Sequence, residues 1–213
     1  MARVPAAVAD ALPLLGRTDP VLAGLIARHG PPPLGRRTPP SKRFESLAAS
    51  IVYQQLAGKA AATIHGRLVA ALGGVVSPKA LLAAPAEVLA GSGLSRAKAA
   101  AIVDLAEKVL TGEVALDRIG RLPDRDVVDH LVQVRGIGPW TADMFLLFDL
   151  GRLDVWPTGD LGVRAGYGAA WGLPATPSPA DLEERGERFR PYRSIVAWYC
   201  WRAVEDRKPE GRA

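Results

Sequence analysis

"VRGIGPWTADMFLLF", residues 134–148, sets two glycines, a proline and a tryptophan between two apolar runs of helical rhythm. A plain helix-to-helix turn needs one glycine to cap the first helix, and this stretch holds more than a cap requires. Gly136 and Gly138 can each take backbone angles closed to other residues, so the chain can turn sharply between the helices. They also leave nothing bulky over the backbone N–H groups that begin the second helix. Those groups have no partner within the helix and lie at the positive end of its dipole, where a phosphate can dock. Pro139, at the first helical position, has no N–H to lose there. Two glycines between helices are also what a simple turn shows, so the reading depends on what surrounds them.

Working outward, the chain reads as helical almost throughout. Upstream, residues 124–134 carry Val127, Val128, Leu131 and Val134 at helical spacing. Ser95 is placed to cap a longer helix holding Ile102, Leu105, Ala106 and Val109, and Ser77-Pro78 opens another by the serine-cap, proline-first pattern. A helix from Gly58 carries Ile64, Leu68 and Leu72. From Phe44, apolar residues at 44, 47, 48, 51 and 52 follow the 3.6-residue period. "GPPPLGRRTPPSK" (30–42) is an extended connector because repeated proline fixes φ and removes donors, and residues 1–30 form one or two short helices. Downstream, "SPADLEE" (178–184) places Ser178 and Asp181 as a variant of the capping box, and an aromatic-rich helix spans 191–206. No stretch alternates with period two, and no tandem repeat or low-complexity tract is present. The fold class expected is all-α.

With 213 residues the chain can bury a substantial core. Its 27 basic against 22 acidic side chains, net charge +5, permit a polyanionic partner without demanding one. The single cysteine, Cys200, excludes an intramolecular disulfide, a cysteine-ligated zinc site and a four-cysteine cluster within one chain. His29, His65 and His130 lack metal-ligand spacing. Asp10 interrupts the apolar N-terminus, and no apolar run is long enough to span a bilayer. A soluble, cytoplasmic protein is expected.

The spacing L-x-x-V-x-G-I-G-x-W-T-A resembles the helix-hairpin-helix element that grips a DNA backbone without reading its sequence. Twenty-two residues after Gly138 comes "DVWPTGDLGVRAG", which is similar to the Gly/Pro-rich loop and catalytic aspartate of helix-hairpin-helix DNA glycosylases, with Pro157, Gly159 and Asp160 matching. "FESLAASIVYQQLAGKAAATI", "GIGPWTADMFLLF" and "PYRSIVAWYCWR" extend the likeness to the DNA-3-methyladenine glycosylase II family, over roughly residues 40–205. The likeness is to the compact form, without an extra N-terminal domain. It implies two helical lobes with an active-site cleft between them. The expected division is an N-terminal arm (1–40) packing with the C-terminal helices, a first lobe (41–120), and a lobe with the hairpin and catalytic loop (121–213).

The chemistry expected is hydrolysis of an N-glycosidic bond. An alkylated purine is already cationic and leaves easily, so positive charge develops on the deoxyribose, where a fixed carboxylate stabilises it. Asp160 is the residue expected to do so, and to orient or deprotonate the attacking water; an ordinary helix cap is the alternative. Bifunctional relatives use a lysine after the hairpin, where this chain has Trp140, so strand nicking is not expected. The base must be flipped out of the duplex. Gln55 falls on the apolar face of the 44–55 helix, where an unpaired amide is costly, so the Gln54-Gln55-Leu56 tip is read as leaving the core and entering DNA, with Leu56, beside Gln55, as the wedge or else packed on the next helix.

Trp140 and Trp201 match pocket positions of the family and suit a cationic base by cation–π attraction; Tyr53 can join them. Met144 stands where some relatives have tyrosine. Trp198 and Tyr199 read as core, and Trp156 and Trp171 receive no role. DNA-backbone contacts are expected at Gly136, Gly138, Trp140 and Thr141. "GLSRAKAAAI" (93–102) resembles a degenerate hairpin that would add Ser95 and Lys98, or is a surface turn with a helix cap. In the superfamily, hairpin carbonyls often hold a monovalent cation; no side-chain metal site and no other cofactor are expected. Arg193 and Ser194 match a recurrent family feature and are suspected of supporting the Asp160 loop. The partner expected is damaged double-stranded DNA, bound by a monomer. Alternatives are a glycosylase for another lesion class, or a noncatalytic DNA-binding module, for which a carboxylate aimed at a polyanion would have no use.

Overall fold

The computed structural model describes residues 3–207. Among them are twelve α-helices and no strand, as the hydrophobic periodicity requires. The chain divides into two compact units, one built from Thr38–Phe145 and the other from Met1–Arg37 with Leu146–Ala213.

The continuous unit contains α3 (Arg43–Tyr53), α4 (Gly58–Ala71), α5 (Pro78–Ala83), α6 (Ala86–Gly91), α7 (Arg96–Thr111), α8 (Asp124–Leu131) and α9 (Pro139–Met144). Leu47, Ile51, Leu68, Ile102, Leu105 and Leu131 are fully buried, which accounts for the apolar spacing along α3, α4, α7 and α8. Ser77 and Ser95 cap α5 and α7 as expected, accepting hydrogen bonds from the backbone N–H groups of Ala80 and Lys98. Arg43 is buried, and its Nη1 donates to the carbonyl of Leu116 at 2.7 Å.

The discontinuous unit contains α1 (Ala6–Thr18), α2 (Pro20–His29), α10 (Leu161–Ala170), α11 (Pro179–Gly186) and α12 (Arg193–Glu205). Tyr199 on α12 is fully buried, and its hydroxyl donates to the carbonyl of Gly30, at the end of α2, at 2.8 Å. Helices α10 and α12 approach so closely that a Cβ at Gly166 would overlap the Cys200 carbonyl. Ser178 and Asp181 form the reciprocal capping box of α11. A π turn, Phe145–Asp149, follows α9 without a break.

The unit boundary lies after Phe145, whereas the sequence suggested residue 120. Residues 121–145 join the continuous unit because the hairpin rests on α7: the Arg135 N–H donates to Asp104 Oδ2 at 2.7 Å, and Gly136 lies over Ala101. A second correction concerns Gln55. Helix α3 ends at Tyr53 with Gln54 as its C-cap, so Gln55 sits in the following turn rather than on the helix face, with φ +55°.

Candidate functional site

In the discontinuous unit the loop leading to Asp160 is tied down from two helices. The Arg193 guanidinium grips the Asp154 carboxylate with Nε at 2.9 Å from Oδ1 and Nη2 at 3.0 Å from Oδ2, a bidentate pair that fixes direction as well as distance. Ser194 is fully buried; its Oγ accepts from the Val155 N–H at 2.9 Å and donates to the Arg152 carbonyl at 2.9 Å. Trp156 is buried and donates from Nε1 to the Leu182 carbonyl of α11 at 2.8 Å. These residues leave the chain little freedom before the turn at Thr158-Gly159.

Asp160 is the N-cap of α10, its Oδ1 accepting from the Val163 N–H at 2.7 Å. The same oxygen accepts from the Trp201 indole Nε1 at 3.0 Å. Two donors on one oxygen set the rotation of the carboxylate plane. Gly162 makes this possible, since a Cβ there would lie 2.9 Å from Trp201 Cδ1 and 3.0 Å from Asp160 Oδ1. The Trp201 ring stacks on Phe148, with centroids 6.0 Å apart and planes at 23°. Phe148, on the π turn, is 47% exposed, and Leu161, next to Asp160, is 65% exposed. Cys200 is buried beneath, its thiol held protonated by burial first and by the negative charge of Asp160 second.

In the continuous unit, the Ile137 N–H donates to the Val134 carbonyl at 3.0 Å, Gly136 has φ +77°, and Gly138 caps α9 in an extended conformation. A side chain at Gly136 would be strained by that φ and would press within 3.2 Å of the Ala101 Cβ. Trp140 is half exposed on the first turn of α9, and Met144 is half-buried on the last. Asp143 between them is pushed up to about 6, by burial first and the nearby Asp124 charge second. Tyr53 and Leu56 are exposed around the turn after α3, and the Tyr53 ring lies 6.3 Å from that of His65. Thr141 is buried, and its Oγ1 accepts from Gln54 Nε2 at 3.2 Å.

A family model described as HhH-GPD superfamily base excision DNA repair protein matches residues 48–191, a span that holds the hairpin, Asp160 and the loop that carries it. The chain belongs to the HhH-GPD superfamily. It is 30% identical over 184 residues to DNA-3-methyladenine glycosylase 1 of Schizosaccharomyces pombe, spanning 85% of this chain and 79% of that protein. Its fold is similar to the crystal structure of a DNA-3-methyladenine glycosidase from Bacillus halodurans, with a TM-score of 0.81 and 32% identity over 91% of this chain and 88% of that one. It is also similar to the S. pombe 3-methyladenine DNA glycosylase Mag1 in complex with abasic DNA, with a TM-score of 0.80 and 28% identity over 92% and 97% of the two chains.

Within this HhH-GPD chain the structure brings Asp160 and Trp201 into contact, and Gly136, Gly138, Trp140 and Thr141 into one hairpin. Ser95 caps α7, and Lys98 Nζ donates to the carbonyls of Val52 and Gln54. Trp171 donates from Nε1 to Asp19 at 2.9 Å and stacks on Tyr167, a structural use like that of Trp156. Two side-chain contacts were not foreseen from the sequence. Phe148 reads as one more apolar residue of "MFLLF", and the side chain of Gln54, whose neighbours Gln55 and Leu56 drew the attention, bonds the hairpin. No group of three or more His, Cys, Asp or Glu residues suited to a metal ion occurs among the described residues, nor does any helix long and apolar enough to cross a membrane.

Proposed function

We propose that the protein is a monofunctional DNA glycosylase that flips alkylated bases of the 3-methyladenine and 7-methylguanine type out of duplex DNA and hydrolyses the N-glycosidic bond. One observation carries the reading: in a chain of the HhH-GPD superfamily, the carboxylate of Asp160 is oriented by Val163 N–H and Trp201 Nε1 on the same oxygen. In the reaction the C1′–N bond breaks and its electron pair leaves with the cationic base. Positive charge remains on the deoxyribose, and Asp160 stabilises it electrostatically. Water adds at C1′, guided by the same carboxylate, which takes or relays the proton lost. Trp140 stands at the position of the lyase lysine and has no amine to form a Schiff base, which supports a reaction that leaves the strand intact.

Selection of the base is assigned to aromatic faces. Trp201 and Trp140, with Tyr53 and Met144, are the proposed pocket residues, and a cationic purine is attracted to such rings more than a neutral one. Leu56 is the proposed wedge, and the N–H groups at the start of α9 the proposed backbone grip. A monovalent cation on the hairpin carbonyls belongs to the same proposal. Val134 O and Gly136 O accept hydrogen bonds from Ile137 N–H and Gln54 Nε2, and a carbonyl oxygen has two lone pairs.

The test is release of free base from methylated duplex DNA, separated by chromatography, for wild type beside Asp160→Asn. Asparagine keeps an acceptor for Val163 and Trp201 and remains a good N-cap, so the fold is retained while the charge is lost. The expected result is release of 3-methyladenine or 7-methylguanine by wild type alone, with duplex binding kept by both. Equal release by the variant removes Asp160 from the mechanism. No release by either, with binding intact, leaves a glycosylase for another lesion class, which a panel of damaged duplexes tests, and after it the noncatalytic module.

A further inference from the structure

The turn after α3 carries the proposed wedge, and its backbone is held by two side chains to which the chemistry above assigns no part in base extraction. Lys98, half-buried on α7, donates from Nζ to the Val52 carbonyl at 2.7 Å and the Gln54 carbonyl at 2.6 Å. Carbonyls at the end of a helix lack intrahelical donors, and an ammonium there satisfies them and meets the negative end of the dipole. The Gln54 amide then reaches across to the hairpin, its Nε2 donating to the Gly136 carbonyl at 3.0 Å and to Thr141 Oγ1 at 3.2 Å. Between these anchors and Leu56 stands Gln55, the one non-glycine residue with positive φ among the described residues. The turn's own hydrogen bond, Leu56 N–H to the Tyr53 carbonyl, is long at 3.4 Å. A left-handed glutamine closed by a weak bond does not hold itself in place. Burial lowers the pKa of Lys98, a cost the two carbonyl contacts offset.

We propose that Gln54 and Lys98 are positioning residues that lock the Gln54–Leu56 turn to the hairpin, so that the wedge and the backbone grip act as one rigid piece. Its bearing on base extraction rests on the glycosylase reading; the lock itself does not. With the turn free, each insertion of Leu56 must first order the residues around it, and that ordering entropy is charged against flipping. With the turn locked, the entropy has been spent in folding.

The experiment has two arms. In the first, amide hydrogen exchange is followed across residues 53–57 in the DNA-free protein for wild type, Gln54→Ala and Lys98→Met. Exchange at these amides is expected to accelerate about tenfold or more in either variant, with α7 protection and the thermal midpoint unchanged; unchanged exchange in both variants overturns the lock. In the second arm, single-turnover base release from methylated duplex is measured for Gln54→Ala, Leu56→Ala and the double variant. Gln54→Ala is expected to slow release about tenfold or more in the wild-type background and less than about twofold when Leu56 is already alanine. Equal losses in both backgrounds show an action that does not pass through the wedge and overturn the positioning role. If wild type releases no base, it is the glycosylase reading that has failed, and the exchange arm decides the lock by itself.

Discussion

At Asp160 one oxygen serves two donors, and the second of them, Trp201, also presents an aromatic face. Trp201→Phe separates those two uses, because it keeps a ring for stacking and removes the indole N–H. A hydrogen bond to a charged group is worth about 1.5–3 kcal/mol, so single-turnover base release is expected to fall by roughly 10- to 100-fold with damaged-duplex affinity little changed; affinity lost with no change in rate would place Trp201 in binding alone. Asp143 gives a prediction for pH. Its folded-state value of about 6 lies above the ordinary 3.8, so the native state holds the proton more tightly than the unfolded chain. Stability is fully present below about pH 4 and falls as pH rises through 6. Asp143→Asn is therefore expected to raise the thermal midpoint at pH 8 and to leave it nearly unchanged at pH 4. The gain is about 1–2 kcal/mol, after discounting for the partial exposure of the carboxyl.

Among the elements, the hairpin and the loop before Asp160 depend on single groups. Gly136→Ala puts a Cβ on a residue with φ +77° and within 3.2 Å of Ala101, and is expected to cost about 1–2 kcal/mol. Denaturant unfolding measures that cost, and duplex binding is expected to weaken along with it. Ser194→Ala leaves the buried Val155 N–H without its hydroxyl acceptor, a loss of about 1–3 kcal/mol; base release is expected to drop more than duplex binding, since the change acts on the Asp160 loop and leaves the hairpin intact. Helix starts were readable in the sequence wherever a serine preceded the apolar rhythm, as at Ser77, Ser95 and Ser178. The end of α3 was not, because Gln54 and Gln55 continue a helical pattern, and the donor for the carbonyls of Val52 and of the C-cap Gln54 is Lys98, 46 and 44 residues further on. Phe148 was missed for a similar reason: the π turn changes the winding, so a residue that looks apolar and internal by its spacing emerges onto the surface.

For the molecule as a whole, the modest net charge of +5 agrees with the proposed hairpin grip, in which duplex affinity rests on a few well-placed contacts. Each phosphate neutralised contributes a slope of about −0.9 in log affinity against log salt. A slope between about −2 and −4 is expected by fluorescence anisotropy, the same for undamaged as for methylated duplex, since backbone contacts carry no information about the base. A much steeper slope on both would point to a broad basic surface instead of a hairpin grip. By itself the sequence determined the helical class and the sharp turn at Gly136-Ile137-Gly138, because hydrophobic period and glycine conformation act between neighbours in the chain, while Asp160 became a candidate through the resemblance to helix-hairpin-helix glycosylases. Only the tertiary structure decided that Asp160 meets Trp201, that Lys98 and Gln54 bind the turn after α3, and that residues 121–145 belong with α7. Those contacts join residues 41, 44 and 82 positions apart, and no local rule of the backbone reaches across such separations; packing of the folded chain does.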